Sequence, residues 1–323
     1  GRGDATPMVM LRLVTGRILL TVVTLLIVSF IVFGVLEILP GDVASRILGR
    51  DATPEALAVL RAKLSLDQPA IWRYLHWLGG VLTGDLGKSL VSGRRVIDIL
   101  GPRIYNTVLL SIYAFILYIP LTVIPALIQA VKRDRLVDHG FSALTLVLLS
   151  MPDFLLATIL MIVFVITIPI LPAMSIVDQS SGWHEYLEAT TLPAVTLAIV
   201  MAVYAVRMLR DNLIEVLDSD YVRMAELKGL PPARVLIRHA LPNALVPTLN
   251  VTAINLGYLV GGVVVVEKVF GYPGFGSLLV DSVQLRDIPL IEATVMLAST
   301  VYIAANLLAD IGAILLNPRL KGR

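Results

Sequence analysis

Cysteine is absent from the 323 residues, which removes disulfides, thiolate metal centres and cysteine nucleophiles. Histidine is scarce: His76, His139, His184 and His239 are scattered, without the spacing of a metal-ligand cluster. Charge is scarce too, at 15% Asp, Glu, Lys and Arg, where soluble domains carry about a quarter. With a mean hydropathy of +0.85, the chain has too little polar surface to cover itself in water, and lipid must cover part of it. The net charge of +2 says less than the order of the charges along the chain. No clustered catalytic constellation, internal repeat or low-complexity linker is visible. Gly1–Asp4 is set aside as an added or processed start, and its Arg-Gly-Asp tripeptide carries no weight.

About 20 apolar residues cross a bilayer core as helix. Six stretches meet that length: Ile18 to Leu39, Thr107 to Val131, Phe141 to Pro169, Leu192 to Leu209, Ala244 to Val266 and Leu290 to Leu316. The reading is an all-α integral membrane protein with one six-helix domain over 18–316, a segment 1–17 before it and a tail 317–323 after it. The first span is too long for a signal-peptide core and is followed by no small-x-small cleavage site, so it reads as a retained anchor. Pro120 and Pro125 in span two, and Pro152 beside Asp153 in span three, are expected to kink their helices.

Basic residues set the orientation. Arg2, Arg12 and Arg17 precede span one; Lys132, Arg133 and Arg135 separate spans two and three. Six more, from Arg207 to Arg238, lie between spans four and five, and Arg319, Lys321 and Arg323 end the chain. The loop from Ile170 to Thr191 has no Lys or Arg but carries Asp178, Glu185 and Glu188. Both termini are therefore expected in the cytoplasm. The outer loop 41–103 holds nine basic residues, against the rule, but at roughly 60 residues it reaches the length where the rule lapses. Pro54 to Leu64 and Ala70 to Leu82 within it have the period of short amphipathic helices, giving an external cap between spans one and two. Trp72, Trp77 and Trp183 suit an outer interfacial belt.

The cytoplasmic loop 210–243 is the most informative segment. Val222, Ala225 and Leu227 form one weakly apolar helix, Gly229 can stop that helix at positive φ, and Pro231-Pro232 fit the start of a second. Val235, Leu236, His239 and Ala240 share a face of that second helix, with Arg234 and Arg238 at its edge. Two short helices joined at a glycine make a stiff knob; by spacing alone this could equally be an exposed helical hairpin.

Here the chain resembles a known family. The permease subunits of ABC importers carry a loop of the form Glu-Ala-Ala, three residues, Gly, nine residues, an apolar residue, any residue, Leu-Pro. Counted from Gly229, Ala225 and Leu241-Pro242 fit, whereas Arg223, Met224 and His239 depart from it. The departures are those of the oligopeptide/dipeptide/nickel branch, whose loop resembles Tyr221, Val222, Arg223, Ala225, Lys228, Gly229, Leu230, Arg238, His239, Ala240, Leu241, Asn243, Ala244, Leu245 and Pro247. Leu39 to Asp42, Gly84 to Ser89, Val266 to Gly276, Arg286 to Pro289 and Asn317 to Arg319 are similar to that branch in the same order.

The resemblance implies a type I importer permease in a bacterial inner membrane, which pairs with a second, homologous permease. Two ATPase subunits would bind ATP and magnesium, and a periplasmic or lipid-anchored solute-binding protein would meet the outer face. The chain itself would hold no cofactor, metal or nucleic acid and would not be an enzyme. Tyr221, Arg223, Ala225, Lys228, Gly229, Arg238, His239, Leu241 and Pro242 would form the ATPase-coupling loop. The cargo would be a di- or oligopeptide, with nickel chelates, glutathione and short oligosaccharides as the related possibilities. The rival is a stand-alone secondary transporter or channel, which calls for inverted repeats and a midplane ion relay.

Gly87-Lys88-Ser89 is no phosphate loop, because Leu82 stands where that motif needs glycine. On span six, Glu292, Ser299, Asn306 and Asp310 fall on one stripe, which either borders the translocation path or places Glu292 and Asp310 at the two interfaces. Asp310 is expected to pair with Arg207 or Arg210. Asn255, Gly257 and Gly261 on span five suit either the path or close helix packing, within the subunit or against a partner. Tyr272 to Gly276 reads as a turn with an exposed aromatic rim.

Overall fold

The computed structural model describes residues 5–38, 53–63, 67–177 and 182–316. The motifs at Leu39 to Asp42 and Asn317 to Arg319, and Asp178, lie outside these residues. Among the described residues every regular element is helical, apart from one isolated antiparallel bridge between Lys88 and Arg95. The chain divides into two compact units, residues 1–104 with 278–323, and residues 105–277.

In the first unit, α1 (Ala5–Ile38) packs against α12 (Ile288–Leu316) and α3 (Ala70–Thr83). The apolar residues of α1 are not gathered on one stripe, as expected of a helix surrounded by lipid. Ser29 is its fully buried polar residue and hydrogen-bonds the Tyr74 hydroxyl at 2.8 Å. Phe30 and Phe33 set their rings edge-on to Tyr74, with centroids 5.7 and 5.4 Å away, the arrangement aromatic quadrupoles favour. The two helices expected in the cap are present as α2 (Pro54–Lys63) and α3. A short segment after α3 is pinned by Asp287, whose carboxylate accepts from the Ser89 hydroxyl and from Leu90 N–H at 3.0 Å.

In the second unit, α5 (Leu136–Leu149), α6 (Asp153–Met161) and α10 (Leu241–Val269) pack against α7 (Trp183–Leu217), and α4 (Val96–Val131, from residue 105 on) adds Leu110, Ala114 and Ala126 to the same buried core. Leu197, Met201, Leu209 and Leu213 of α7 are almost wholly buried, and their spacing sets them on one side of the helix. Ala114, Ala126, Ala157, Ala194, Ala198 and Ala205 are fully buried, and such small residues let helix backbones approach closely where no aqueous hydrophobic effect drives them together. The most apolar window of α7 is 67% buried and that of α1 is 6%. This contrast makes α7 the centre of its own unit and leaves most of α1 uncovered within the chain.

The stretch expected as a single span from Phe141 to Pro169 is two helices, α5 and α6, bent by 112°. The break falls at Ser150-Met151-Pro152, with Pro152 extended at φ −63°, ψ 147°. A residue before proline avoids the helical region, and proline donates no hydrogen bond to the turn behind it. Past Met161 the helix widens into a π-turn, Ile162–Thr167, and the Thr167 hydroxyl donates to Ile162 C=O at 3.1 Å, five residues back. By length and composition, three helices among the described residues can cross a membrane, and a fourth if the bent pair counts as one span. Helices α10 and α12 are 29 residues each, and part of their side chains lie outside those described.

Candidate functional site

Helix α7 ends at Leu217, and after Ser219 the chain enters α8 (Asp220–Leu227), with Asp220 in its first turn, where the helix dipole favours a carboxylate. Val222 and Ala225 face inward and meet Val235, and all three are buried. At the end of α8 the chain reverses through Gly229, at φ +78°. Gly229 N–H donates to Glu226 C=O at 2.8 Å and Leu230 N–H to Ala225 C=O at 3.3 Å, the paired closure of a Schellman turn. Leu230 packs against the small apolar cluster, completing the contact that accompanies such turns. A Cβ on residue 229 would meet nothing within 4 Å, so glycine is needed there for its backbone angle and not for space.

Pro231 is extended and Pro232 opens α9 (Pro232–Arg234), the helical position that tolerates a missing N–H. The helix then widens into a second π-turn, Val235–Ala240, that runs directly into α10. A π-turn brings residues five apart onto one line, which explains why Val235 and Ala240 are both buried while Ile237 between them is 60% exposed. Leu227 is 82% exposed, because two residues beyond Ala225 is about 200° round the helix, and Leu230, past the turn, packs against the buried cluster instead.

The elbow presents Tyr221, Met224, Leu227 and Ile237 to the outside, together with the exposed Arg223, Lys228 and Arg238. Its inner side holds Ala225, and His239 and Leu241 are half-buried. Pro242 stands exposed in the first turn of α10.

Both flanks of the elbow are tied to the bundle. Asn212 on α7 donates to Ala244 C=O and the Thr248 hydroxyl at 3.4 and 3.3 Å. Two residues earlier, Arg210 grips Asp138 of α5 with two bonds, Nε to Oδ1 at 2.7 Å and a terminal nitrogen to Oδ2 at 2.5 Å. Asp138 is 1% exposed at its side chain and also accepts Asp134 N–H at 3.0 Å. Arg207 or Arg210 is the expected partner of Asp310, whose side chain lies outside those described; Arg210 holds Asp138 and Asp211.

A second turn, between α10 and α11 (Phe275–Leu285), also departs from expectation. Tyr272 is fully buried and does not form an exposed rim. Its hydroxyl donates to Asn106 C=O at 2.7 Å and lies 3.2 Å from the Tyr186 hydroxyl. Burial, then the Tyr186 hydrogen bond, push the Tyr272 hydroxyl far above the ordinary range. The turn closes over Glu267, which is fully buried. Its carboxylate accepts from the Thr107 hydroxyl at 2.5 Å and from Ser277 N–H at 3.0 Å. A Cβ on Gly274 would lie 2.0 Å from Glu267 Oε1, and one on Gly276 would lie 2.6 Å from Val264 Cα.

Of the remaining sequence candidates, Asn255, Gly257 and Gly261 lie on α10 and Asn306 and Asp310 on α12, and their side chains are outside those described. Ser299 is half-buried on α12.

Residues 119–322 match the family described as binding-protein-dependent transport system inner membrane component, and residues 10–111 match the N-terminal region of such membrane components. A glutathione transport system permease protein of Escherichia coli O6:H1 is 36% identical over 312 residues, covering 97% of this chain and 99% of that protein. The glutathione transport system permease protein of Salmonella typhi is likewise 36% identical over 97% and 99% of the two chains. A Brucella abortus protein whose name assigns it to a peptide transport system as permease is 35% identical over 315 residues, with the same coverage.

Proposed function

Because the chain belongs to the family of binding-protein-dependent transport system inner membrane components, it is the multi-pass permease of an ABC importer, and we propose how it couples and what it carries. The elbow α8–Gly229–α9 is the face on which an ATPase subunit docks. The chain spans the membrane six times, with both termini and the elbow in the cytoplasm and α2 and α3 in an external cap. It pairs with a second, homologous permease; two ATPases hold ATP and magnesium, and a solute-binding protein delivers cargo outside. The cargo is a short peptide, including glutathione-like tripeptides, a reading supported by the names of the relatives at 35–36% identity.

The observation that carries the docking reading is the exposure of Tyr221, Met224, Leu227 and Ile237 on a knob whose inner face is closed by Val222, Ala225 and Val235. Apolar surface held outward by a stiff support is the mark of a protein interface. Stiffness matters quantitatively. Moving a bundle between inward- and outward-facing states from 1:99 to 99:1 takes about 5.5 kcal/mol of differential binding. A ligand transmits only the difference between its contacts in the two states, so an elbow that bent freely would dissipate it. The Schellman turn, the buried cluster and the Arg210–Asp138 grip resist that bending.

The test uses the assembled transporter in proteoliposomes, with ATP inside and binding protein plus glutathione or trialanine outside. Gly229→Val and Leu227→Asp should leave the permease folded but lower ATP-driven uptake at least tenfold. Unaltered ATP-driven uptake in both variants would remove the elbow from the coupling.

A further inference from the structure

The first unit holds a cavity of about 570 Å³, inside the size range of small-molecule sites. Phe33 and Glu37 of α1, Arg73, His76 and Trp77 of α3 and Glu292 of α12 line it. Arg73, His76 and Trp77 share one face of α3, and the Phe33 and Trp77 rings lie 6.4 Å apart at its apolar side. Arg73 is ion-paired to Glu37.

Two polar groups in this cavity lack a hydrogen-bond partner among the described residues. Glu292 is 4% exposed, and among the described residues its carboxylate accepts no hydrogen bond. Arg73 Nε is buried and donates to nothing among the described residues. A buried polar group without a hydrogen-bond partner is costly unless something pairs with it. One is a carboxyl group that needs a donor, with the Arg73 charge near enough to act on it, and the other is a donor that needs an acceptor. The aromatic wall adds a surface that attracts cations.

A free peptide amino terminus carries both complements within one residue: an ammonium group and, next to it, a carbonyl oxygen. We propose that this cavity receives the amino-terminal residue of a short peptide, its ammonium against Glu292 and its first carbonyl accepting from Arg73 Nε. This rests on the peptide-cargo reading above and assigns that cargo a site on the permease itself.

Trp77 lines the cavity and reports its occupancy. In the full chain in nanodiscs, Trp72→Phe and Trp183→Phe leave Trp77 as the sole tryptophan of the three. Trialanine should change its fluorescence saturably, and N-acetyl-trialanine, which lacks the ammonium, should not. Glu292→Gln should weaken the trialanine response at least tenfold, and Arg73→Lys should weaken it less. Equal responses to the two peptides, or an unchanged response in Glu292→Gln, would overturn the proposal. Uptake of trialanine by the assembled transporter separates the two readings. Uptake without a Trp77 response sinks the cavity and spares the peptide cargo; a Trp77 response without uptake does the reverse. Neither signal sinks both.

Discussion

Two turns of the second unit depend on glycine for opposite reasons. Gly229 stands in open space at φ +78°, so its requirement is conformational. Gly274 and Gly276 have no positive φ, but the Glu267 carboxylate and the Val264 backbone occupy the places of their missing Cβ atoms. The first turn is held by its own hydrogen bonds and leaves its outer surface free. The second is held by a buried polar cluster and has no freedom left. A surface that receives a partner needs the former; a joint that must keep four segments in register is built like the latter.

The largest effect should come from the crowded turn. Gly274→Ala forces the Glu267 carboxylate out of its seat and should cost about 3 kcal/mol, the upper end of overpacking, read as loss of the monodisperse species in detergent. If Gly274→Ala folds as well as the native chain, the contrast between the turns disappears. Next comes the grip behind the elbow. Arg210→Met leaves Asp138 as a buried, unpaired carboxylate; partial exposure of Arg210 trims the usual penalty for breaking a buried pair to about 2–3 kcal/mol. Adding Asp138→Leu should recover most of the loss in thermal stability, and a double variant worse than the single would show that the pair does more than neutralise charge.

Gly229→Ala should cost about 1–2 kcal/mol, the price of the left-handed region for a residue with Cβ. Its thermal stability should fall less than that of Gly274→Ala, while ATP-driven uptake falls more than stability accounts for. A proportionate fall in both would make the elbow merely structural. The smallest effect is at the exposed pair Arg133–Asp218, 2.9 Å apart with both side chains about half exposed. Arg133→Ala should change stability by no more than about 0.5 kcal/mol, measured by chemical denaturation at low and high salt.

The helices and the elbow were legible because their signals are local. Long apolar runs, Gly229 before Pro231-Pro232, and the inward spacing of Val222 and Ala225 all act within a few residues, where propensity and backbone sterics decide. Other features need the folded chain. Pro152 permits a full break as well as a kink, and only the fold divides span three into two helices. A Pro-Gly turn looks exposed until the partners of Tyr272, Asn106 and Tyr186, are known.

The sequence alone determined that this chain lives in lipid, that it is helical and which loop leaves the bundle, since each follows from hydropathy and short-range geometry. Only the tertiary structure decided that Arg210 belongs to Asp138, that Glu267 sits under the Gly274 turn and that Glu292 shares a cavity with Arg73. Arg210 and Asp138 are 72 positions apart, Glu267 and its donor Ser277 in that turn 10, and Glu292 and Arg73 more than 200. For the long-range ones no local rule specifies a partner, and even Glu267 meets its turn only because the chain folds back on itself. Burial, which makes an unmatched polar group costly, is what selects them.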